Sequence, residues 1–297
     1  MFISLILSRK STTFYLFLYI VNLFCNYSAN LSCKSDPEKE KEFQLFNYIL
    51  IMIIGSKILF FKNLPSTNTY AANFLKKNNL REGTVIHTNY QSAGKGQMGN
   101  KWESEDGKNL LMSIVVFPFM IDPTDQFQIS MTISLGICDF LQRHIPVCSI
   151  KWPNDIYVNN DKIAGILIEN SIMDNRIENT IAGIGLNINQ EKFIEGAPNP
   201  VSLKMITGKD FDLEMSINDL SIDIDKRYQQ LITGSHHKIK EEYINKLYRF
   251  NEWSQYRDQN GLFSGRIIAV ADSGRLSIES DSGRFCEYGF KEVDFIL

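Results

Sequence analysis

The sequence is poor in the residues that build disulfide frameworks and metal sites. Its 297 residues include five cysteines and four histidines. The cysteines are odd in number and none has C-x-x-C spacing, so the pattern indicates neither a disulfide framework nor a zinc site, and it predicts reduced thiols. His236 and His237 are adjacent, but they lack a third ligand in the sequence around them. We therefore expect both histidines in a solvent-exposed loop.

An excess of positive charge is also missing. The chain has 31 basic and 34 acidic residues, a formal net charge of -3 and a pI near 5.9. This balance lacks the excess of basic residues that general nucleic-acid binding requires. The 44% hydrophobic and 22% charged content is typical of a globular protein. The length allows one large or two modest domains.

The first fifty residues differ from the rest. Arg9 and Lys10 precede an apolar run over 14–25, and a charged stretch follows over 34–42. A basic flank before a short apolar core has the shape of a secretory signal. We prefer another interpretation, in which residues 1–51 are an upstream extension with a mis-assigned start, and a real signal or anchor is the alternative.

From Met52 onward, short strand patterns outnumber helical ones. The strand-like runs cover 58–61, 83–90, 110–117, 147–152, 156–158, 163–170 and 180–188, and the helical patterns cover 123–144, 212–232 and 238–248. Hairpin-length links predict an α+β fold with a mixed, largely antiparallel sheet and flanking helices. Short alternating runs over 264–270, 275–279 and 284–288 predict a small C-terminal antiparallel barrel.

A glycine pattern follows the strand predicted over 83–90. Gly94, Gly96 and Gly99 satisfy G-x-G-x-x-G. In a dinucleotide-binding fold the third glycine opens a helix that faces the pyrophosphate, whereas here another strand follows. The pattern predicts a flexible loop between two strands. Either it is an ordinary hairpin loop, or its backbone N–H groups close on an anionic ligand.

Six motifs, in order, resemble those of biotin protein ligases. They are Ser66-Thr67-Asn68, Gln91-x-x-Gly94-Lys95-Gly96, Trp102, Lys151-Trp152-Pro153-Asn154-Asp155, Lys162-Ile163-Ala164-Gly165-Ile166-Leu167-Ile168-Glu169, and Gly183-Ile184-Gly185-Leu186-Asn187-Ile188-Asn189. The resemblance covers the chain from about Met52 to its C-terminus. One departure is Lys95, because the family usually has arginine between the two glycines. A guanidinium can grip two phosphate oxygens, whereas an ammonium acts as a point charge.

The resemblance implies a class II synthetase-like catalytic domain over 52–248 and an SH3-like domain over 249–297. The implied activity is ATP-dependent attachment of biotin to a lysine of a biotin carboxyl-carrier domain, through biotinyl-AMP, with Mg²⁺ and in the cytoplasm. The nearest alternative is a lipoate or octanoate ligase or transferase of the same fold. A biotin-sensing repressor is disfavoured, because no DNA-reading helix pair is visible before Ser66. We expect no nucleic acid and, unless the run over 14–25 is an anchor, no membrane partner, and we leave a homodimer open.

The resemblance also implies roles for individual residues. Lys162 would bridge the biotin carboxylate and the α-phosphate, and Lys95 would fold over the phosphates. Biotin contacts are expected from Ser66, Thr67, Asn68, Gln91, Gly94, Lys95, Gly96, Gln97, Lys162 and Gly165. Contacts to ATP or the adenylate are expected from Lys95, Gly96, Trp102, Lys151, Asn154, Asp155, Gly185 and Asn187.

Four of these residues keep a second interpretation. Ser66 or Thr67 can simply cap the helix that follows, and Trp102 can be a core residue instead of an adenine lid. Asp155 can either hold a lysine in place or position Mg²⁺, and no metal ligand is assigned.

Overall fold

The computed structural model of the chain describes residues 52–77, 80–193 and 199–296, apart from the side chain of Met98. The expectations for residues 1–51 lie outside this part of the chain. Among the described helices, none combines the length and the apolarity that crossing a bilayer requires.

A seven-stranded sheet forms the centre of the structure. Its strands are β1 (Lys57–Leu64), β2 (Thr84–Gln91), β3 (Leu110–Val116), β4 (Ser149–Lys151), β5 (Asp155–Val158), β6 (Asp161–Met173) and β7 (Arg176–Leu186). The spatial order is β1-β2-β3-β7-β6-β5-β4. Only the β1–β2 pair in this sheet is parallel, and the other neighbours are antiparallel. The prediction of a mixed, largely antiparallel sheet is therefore confirmed.

The two faces of this sheet have different partners, because successive side chains of a strand point to opposite sides. On β3, Leu110 and Met112 belong to the main core, which also contains the buried sides of the long helices. Val115 points the other way and packs with Ile86 and Ala71 in a smaller cluster. One face of the sheet therefore builds the main core, and the opposite face is available beside the smaller cluster.

Five α-helices of the described residues flank the sheet. They are α1 (Thr67–Leu75), α2 (Phe127–Gln142), α3 (Leu203–Thr207), α4 (Leu213–Ile232) and α5 (His236–Asn245). Ser66 caps α1, since its side chain accepts from the backbone N–H of Thr69, which confirms the capping prediction. Gly136 of α2 allows α4 to approach closely, because a Cβ there would lie 2.7 Å from the Cα of Ile224.

The histidine prediction is wrong. His236 and His237 begin helix α5 instead of lying in a loop, and His236 Nδ1 hydrogen-bonds with Gln128 Oε1 on α2. The turn that precedes α5 is shorter than the sequence suggests because Gly234 adopts a φ of +87°, which lets the chain reverse at once.

A second, five-stranded sheet contains the C-terminal residues. Its strands are β8 (Ser254–Asp258), β9 (Gly261–Val270), β10 (Leu276–Ser280), β11 (Phe285–Tyr288) and β12 (Asp294–Phe295), in the order β11-β10-β9-β8-β12. All of its pairs are antiparallel. The sheet fits an SH3-like domain, as expected, although the sequence patterns missed β8 and β12. Trp152 joins the two sheets, because its Nε1 donates to the carbonyl of Gly274 at 2.8 Å.

Candidate active site

Three glycines leave a trough across β6 and β7, on the face of the sheet opposite the main core. Gly165 pairs directly with Gly185, and Gly183 lies two residues before Gly185, so all three share one face. Ile184, which lies between Gly183 and Gly185, points into the main core. The alternation G-I-G therefore gives one strand a packed side and a bare side.

The indole of Trp102 lies directly on this trough. A Cβ at Gly185 would come within 2.3 Å of Trp102 Cε2, and one at Gly165 within 2.9 Å of Cζ3. The backbone N–H of Trp102 donates to the carbonyl of Gly94 at 3.0 Å, which ties the ring to the glycine loop. The indole N–H is buried and has no hydrogen-bond partner among the residues that the structure describes. Trp102 is half-buried, and it lies where a ring of a ligand can stack on it.

Lys162 stands at the edge of the trough. Its Cε would be 3.4 Å from a Cβ at Gly165, and its Nζ lies 5.7 Å from the centroid of the Trp102 ring. The ammonium forms an ion pair with Asp155 Oδ1 at 2.6 Å, and both side chains are mostly buried, with 23% and 18% exposed. The backbone N–H of Lys162 donates to the carbonyl of Asn199 at 2.7 Å. Of the two roles left open for Asp155, this geometry supports holding the lysine.

Lys151 is a second cation beside this ion pair. In the sheet, Lys151 is paired with Asp155, and Asp155 with Gly165, so the three lie in one row. The ammonium donates to Tyr157 Oη at 3.2 Å and lies 5.2 Å from the centre of the Phe295 ring. Burial lowers the pKa of Lys151, and the neighbouring Lys162 lowers it further while Asp155 opposes both effects. Positive charge is thus concentrated at one end of the trough.

Buried polar side chains lie at the other end of the trough. Asn68 rests on Gly183, since a Cβ there would be 2.3 Å from its Oδ1. Asn68 Nδ2 donates to Glu169 Oε2 at 2.8 Å, and the backbone N–H of Thr67 donates to Gln91 Oε1 at 2.7 Å. Three expected biotin contacts, Thr67, Asn68 and Gln91, are therefore brought together by the first turn of α1 and the end of β2.

Sequence reasoning missed one member of this group. Ser113 is fully buried on β3, and its hydroxyl contacts Thr67 Oγ1 at 2.7 Å and Asn68 Oδ1 at 2.6 Å. The available signal was a single hydroxyl within the apolar run Leu110–Val116. Because strand residues alternate, that hydroxyl had to lie on the face away from Met112 and the main core.

The glycine loop folds back on itself. Gly96 N–H donates to the carbonyl of Asn100 at 2.7 Å, and the backbones of Lys95 and Lys101 pair in a single antiparallel β-bridge. A single 3₁₀ turn over Gln97–Gly99 lies between them. The prediction of a loop between two strands, with no helix after Gly99, is confirmed.

The two lysines expected to be catalytic differ in their relation to the cavity that Lys95 lines. Lys95 is exposed and lines a cavity of about 190 Å³ whose other walls include Thr69, Asn73 and Glu169. Lys162, which the structure also describes, is not among its lining residues.

Two predicted adenylate contacts have structural partners. Asn154 Nδ2 donates to the carbonyl of Ile166 at 2.7 Å, and the N–H of Ile166 donates back to the carbonyl of Asn154 at 2.9 Å. Asn187 Nδ2 donates to the carbonyl of Val201 at 3.1 Å. Its Oδ1 is buried and, within the described ranges, accepts no hydrogen bond. Asn154 thus fixes the β4–β5 turn to β6, whereas Asn187 retains an acceptor for a ligand.

Magnesium is not matched by a protein site. No group of three or more His, Cys, Asp or Glu side chains in the described part of the chain is placed to hold a metal ion. Asp155, the one carboxylate considered for that role, is paired with Lys162.

Solved structures share this arrangement of sheets. The structure of the biotin protein ligase from Aquifex aeolicus in complex with biotin and ATP matches with a TM-score of 0.65 and 25% sequence identity, over 80% of this chain and 97% of that one. The biotin protein ligase from Leishmania major in complex with biotin matches with a TM-score of 0.54 at 18% identity, over 79% and 99%, which shows the fold alone. Fold and site define a ligase with the catalytic fold of biotin protein ligases.

Sequence comparisons find similar proteins over much of the chain. Residues 60–187 match the model of the Biotin/lipoate A/B protein ligase family. The bifunctional ligase/repressor BirA of Bacillus subtilis is 28% identical over 83% of this chain and 77% of its own length. The biotin--[acetyl-CoA-carboxylase] ligase of Paracoccus denitrificans is 29% identical over 65% and 83%. The chain is therefore similar in sequence to this family and to biotin ligases.

Proposed function

We propose that this ligase activates biotin with ATP and transfers it to a lysine of a carboxylase's biotin carboxyl-carrier domain. One observation carries the proposal: a single trough has buried amide and hydroxyl groups at one end and lysines at the other. Biotin has a polar cyclic urea at one end and a carboxylate at the other. The polar end of the trough favours biotin over a lipoyl group, because the lipoyl ring has sulfur as its only heteroatom and offers no N–H or carbonyl group.

In the first step, a biotin carboxylate oxygen attacks the α-phosphorus of ATP, and pyrophosphate leaves. Two anions meet, so fixed positive charge must lie where they approach. Lys162 meets this need because its ammonium is mostly buried, oriented by Asp155 and next to Gly165. The adenine stacks on the half-exposed indole of Trp102, and the glycine loop brings Lys95 over the phosphates.

In the second step, the amine of the carrier lysine attacks the carbonyl carbon of biotinyl-AMP. The C–N bond forms, the bond to the phosphate oxygen breaks, AMP leaves and the amine proton passes to solvent. The ordered glycine loop shields the mixed anhydride from water until the carrier docks. No residue of the chain is assigned to Mg²⁺, which would screen the phosphate charge of ATP.

The remaining assignments are parts of the same proposal. The catalytic domain extends over 52–248, and the SH3-like domain begins at Arg249. The reaction occurs in the cytoplasm, where ATP and carboxylases are present.

The test is biotin-dependent exchange of labelled pyrophosphate into ATP by the purified chain. We expect exchange with biotin and none with lipoate, and the reverse result would establish the lipoate alternative. Lys162→Ala should reduce exchange at least about 100-fold, because one buried charge that stabilises the transition state is lost. Lys204→Ala is the matched control, since that lysine pairs with Glu191 and Asp210 instead. Near-normal exchange by Lys162→Ala would refute the role of Lys162.

A further inference from the structure

Two cysteines that the proposed function does not use lie side by side between helix α2 and strand β4. Cys138 belongs to the last part of α2, and Cys148 directly precedes β4. The thiol of Cys148 donates to the backbone carbonyl of Cys138 at 3.8 Å, and the two thiols also contact each other. Both cysteines are free thiols. The fold therefore brings two reduced sulfur atoms together.

The two thiols differ in their access to solvent. Cys138 is fully buried, whereas Cys148, itself only 4% exposed, lines a cavity of about 420 Å³. The walls of this cavity include Val147, which is 67% exposed, and the exposed Asn160, so the cavity reaches the protein surface. A water molecule takes up about 30 Å³ of liquid, so a small hydroperoxide fits this space. Cys148 is therefore the thiol that an incoming molecule meets first.

A lysine in the same cavity favours the ionised form of the Cys148 thiol. Lys246 follows α5, and its carbonyl accepts from the N–H of Ile150 at 2.8 Å. The contact with Cys138 lowers the pKa of Cys148, and the ammonium of Lys246 lowers it further, while burial and the charge of Asp139 act against them. The contact with Cys148 raises the pKa of Cys138, as does burial. One thiol is thus suited to attack as a thiolate, and the other stays protonated beside it.

We propose that Cys138 and Cys148 are a modification site, which a hydroperoxide converts into a disulfide. The Cys148 thiolate attacks one peroxide oxygen, the O–O bond breaks, and Cys148 becomes a sulfenic acid while the other oxygen leaves as an alcohol or as water. The Cys138 thiol then attacks the sulfur of the sulfenic acid, the S–S bond forms and water leaves. The two thiols lose two electrons in total, and the peroxide gains both.

This chemistry uses no residue of the trough. It links α2 covalently to the segment that enters β4, and it needs neither biotin nor ATP. The inference therefore goes beyond the proposed function, and a failure to activate biotin would leave it standing.

Cys286 offers a comparison within the same chain. It lies on β11, and it is more exposed than Cys138 or Cys148. If exposure alone set the rate of oxidation, Cys286 would react first of these three thiols. We expect the opposite order, because oxidation to a disulfide depends on thiolate character and on a second thiol next to the first.

The experiment treats the full reduced chain with hydrogen peroxide, alkylates the remaining thiols and maps tryptic peptides by mass spectrometry. Arg143 lies between the two cysteines in the sequence, so after cleavage only a disulfide holds their peptides together. We expect this crosslinked pair, lighter by two hydrogens, to form about tenfold faster than Cys286 is oxidised and to be reversed by dithiothreitol. The same maps identify any disulfide to Cys25 or Cys33. The inference is overturned if Cys138 and Cys148 stay reduced, or if Cys148 is oxidised without joining Cys138.

Four variants test the roles within the pair. Cys138→Ser should leave a sulfenic acid on Cys148 that dimedone labels, whereas Cys148→Ser should leave Cys138 reduced. Lys246→Met should slow the crosslink about three- to tenfold, because the thiolate loses a counter-charge. Lys240→Met is the matched control on α5, since that lysine pairs with Asp272 instead, and it should keep the rate. Equal rates in the two lysine variants would refute the role of Lys246, and the peptide map of the natural chain decides the inference if a cysteine variant does not fold.

Discussion

A methyl group added at Gly185 provides the sharpest test of the trough. In Gly185→Ala the new Cβ would lie 2.3 Å from Trp102 Cε2 and 2.7 Å from both Cζ2 and Nε1. Real Cβ atoms essentially never approach other atoms this closely, so the indole must leave its place on the sheet. Overpacking of this kind costs about 1–3 kcal/mol of unfolding free energy.

The cause of this cost can be isolated with a double-mutant cycle. We measure urea unfolding of Gly185→Ala, Trp102→Ala and the double variant. If the clash with the indole is responsible, the methyl group costs less than about 0.5 kcal/mol once the indole is gone, and the coupling energy is about 1–3 kcal/mol. Pyrophosphate exchange should fall in Gly185→Ala, because the displaced ring no longer offers its face to adenine.

A substitution on the other face of the same strand serves as the control for Gly185→Ala. Ile184→Val changes the opposite face of β7, and it should cost about 0.5–1.5 kcal/mol without altering Trp102 fluorescence or exchange. An equal cost of Gly185→Ala with and without Trp102 would refute the reasoning, because the indole would then not be what fills the trough.

Three further predictions follow from single contacts. Asp155→Asn removes the counter-charge of the Lys162 ammonium and orients that ammonium less well. We therefore expect both KM for ATP and kcat to fall in steady-state exchange. A higher KM with unchanged kcat would instead make Asp155 a substrate contact. Asn154→Ala should cost about 1–3 kcal/mol in urea unfolding, because the carbonyl of Ile166 loses its donor, and a selective rise of KM for ATP would contradict this structural role. Trp152→Phe should lower stability by about 1–3 kcal/mol through the lost bond to Gly274, and an unchanged unfolding midpoint would show that this bond does not couple the two sheets.

The sheet could be predicted because its signal is local. Alternating apolar residues and hairpin-length links identified six of the seven central strands within a few residues and the seventh, β1, over half its length. The shortest strands, such as β12 over Asp294–Phe295, carry too few residues for any alternation to show. His236 was misplaced because the pattern of α5 starts weakly, and its first residue is stabilised by a partner on α2, 108 residues earlier.

The site was predictable in its residues but not in their partners. Ordered motifs pointed to Lys162 and Asn68, whereas the pairing of Asn68 with Glu169 spans 101 residues and depends on the sheet order. The same holds for Asn154, whose amide looked free for a ligand but is used by β6. A motif gives the residue types that chemistry needs, but only the tertiary fold decides which donors and acceptors are already satisfied.

The alternation of β7 explains why core and site can share one strand. Ala182, Ile184 and Leu186 face the main core, while Gly183 and Gly185 face the trough. A slip of one residue in the pairing would turn isoleucine and leucine into the trough and glycine into the core. The strand would then lose its packing and its room for Trp102 at once. Core packing and room for Trp102 therefore select the same register, because the large apolar residues that hold β7 in place all face away from the trough.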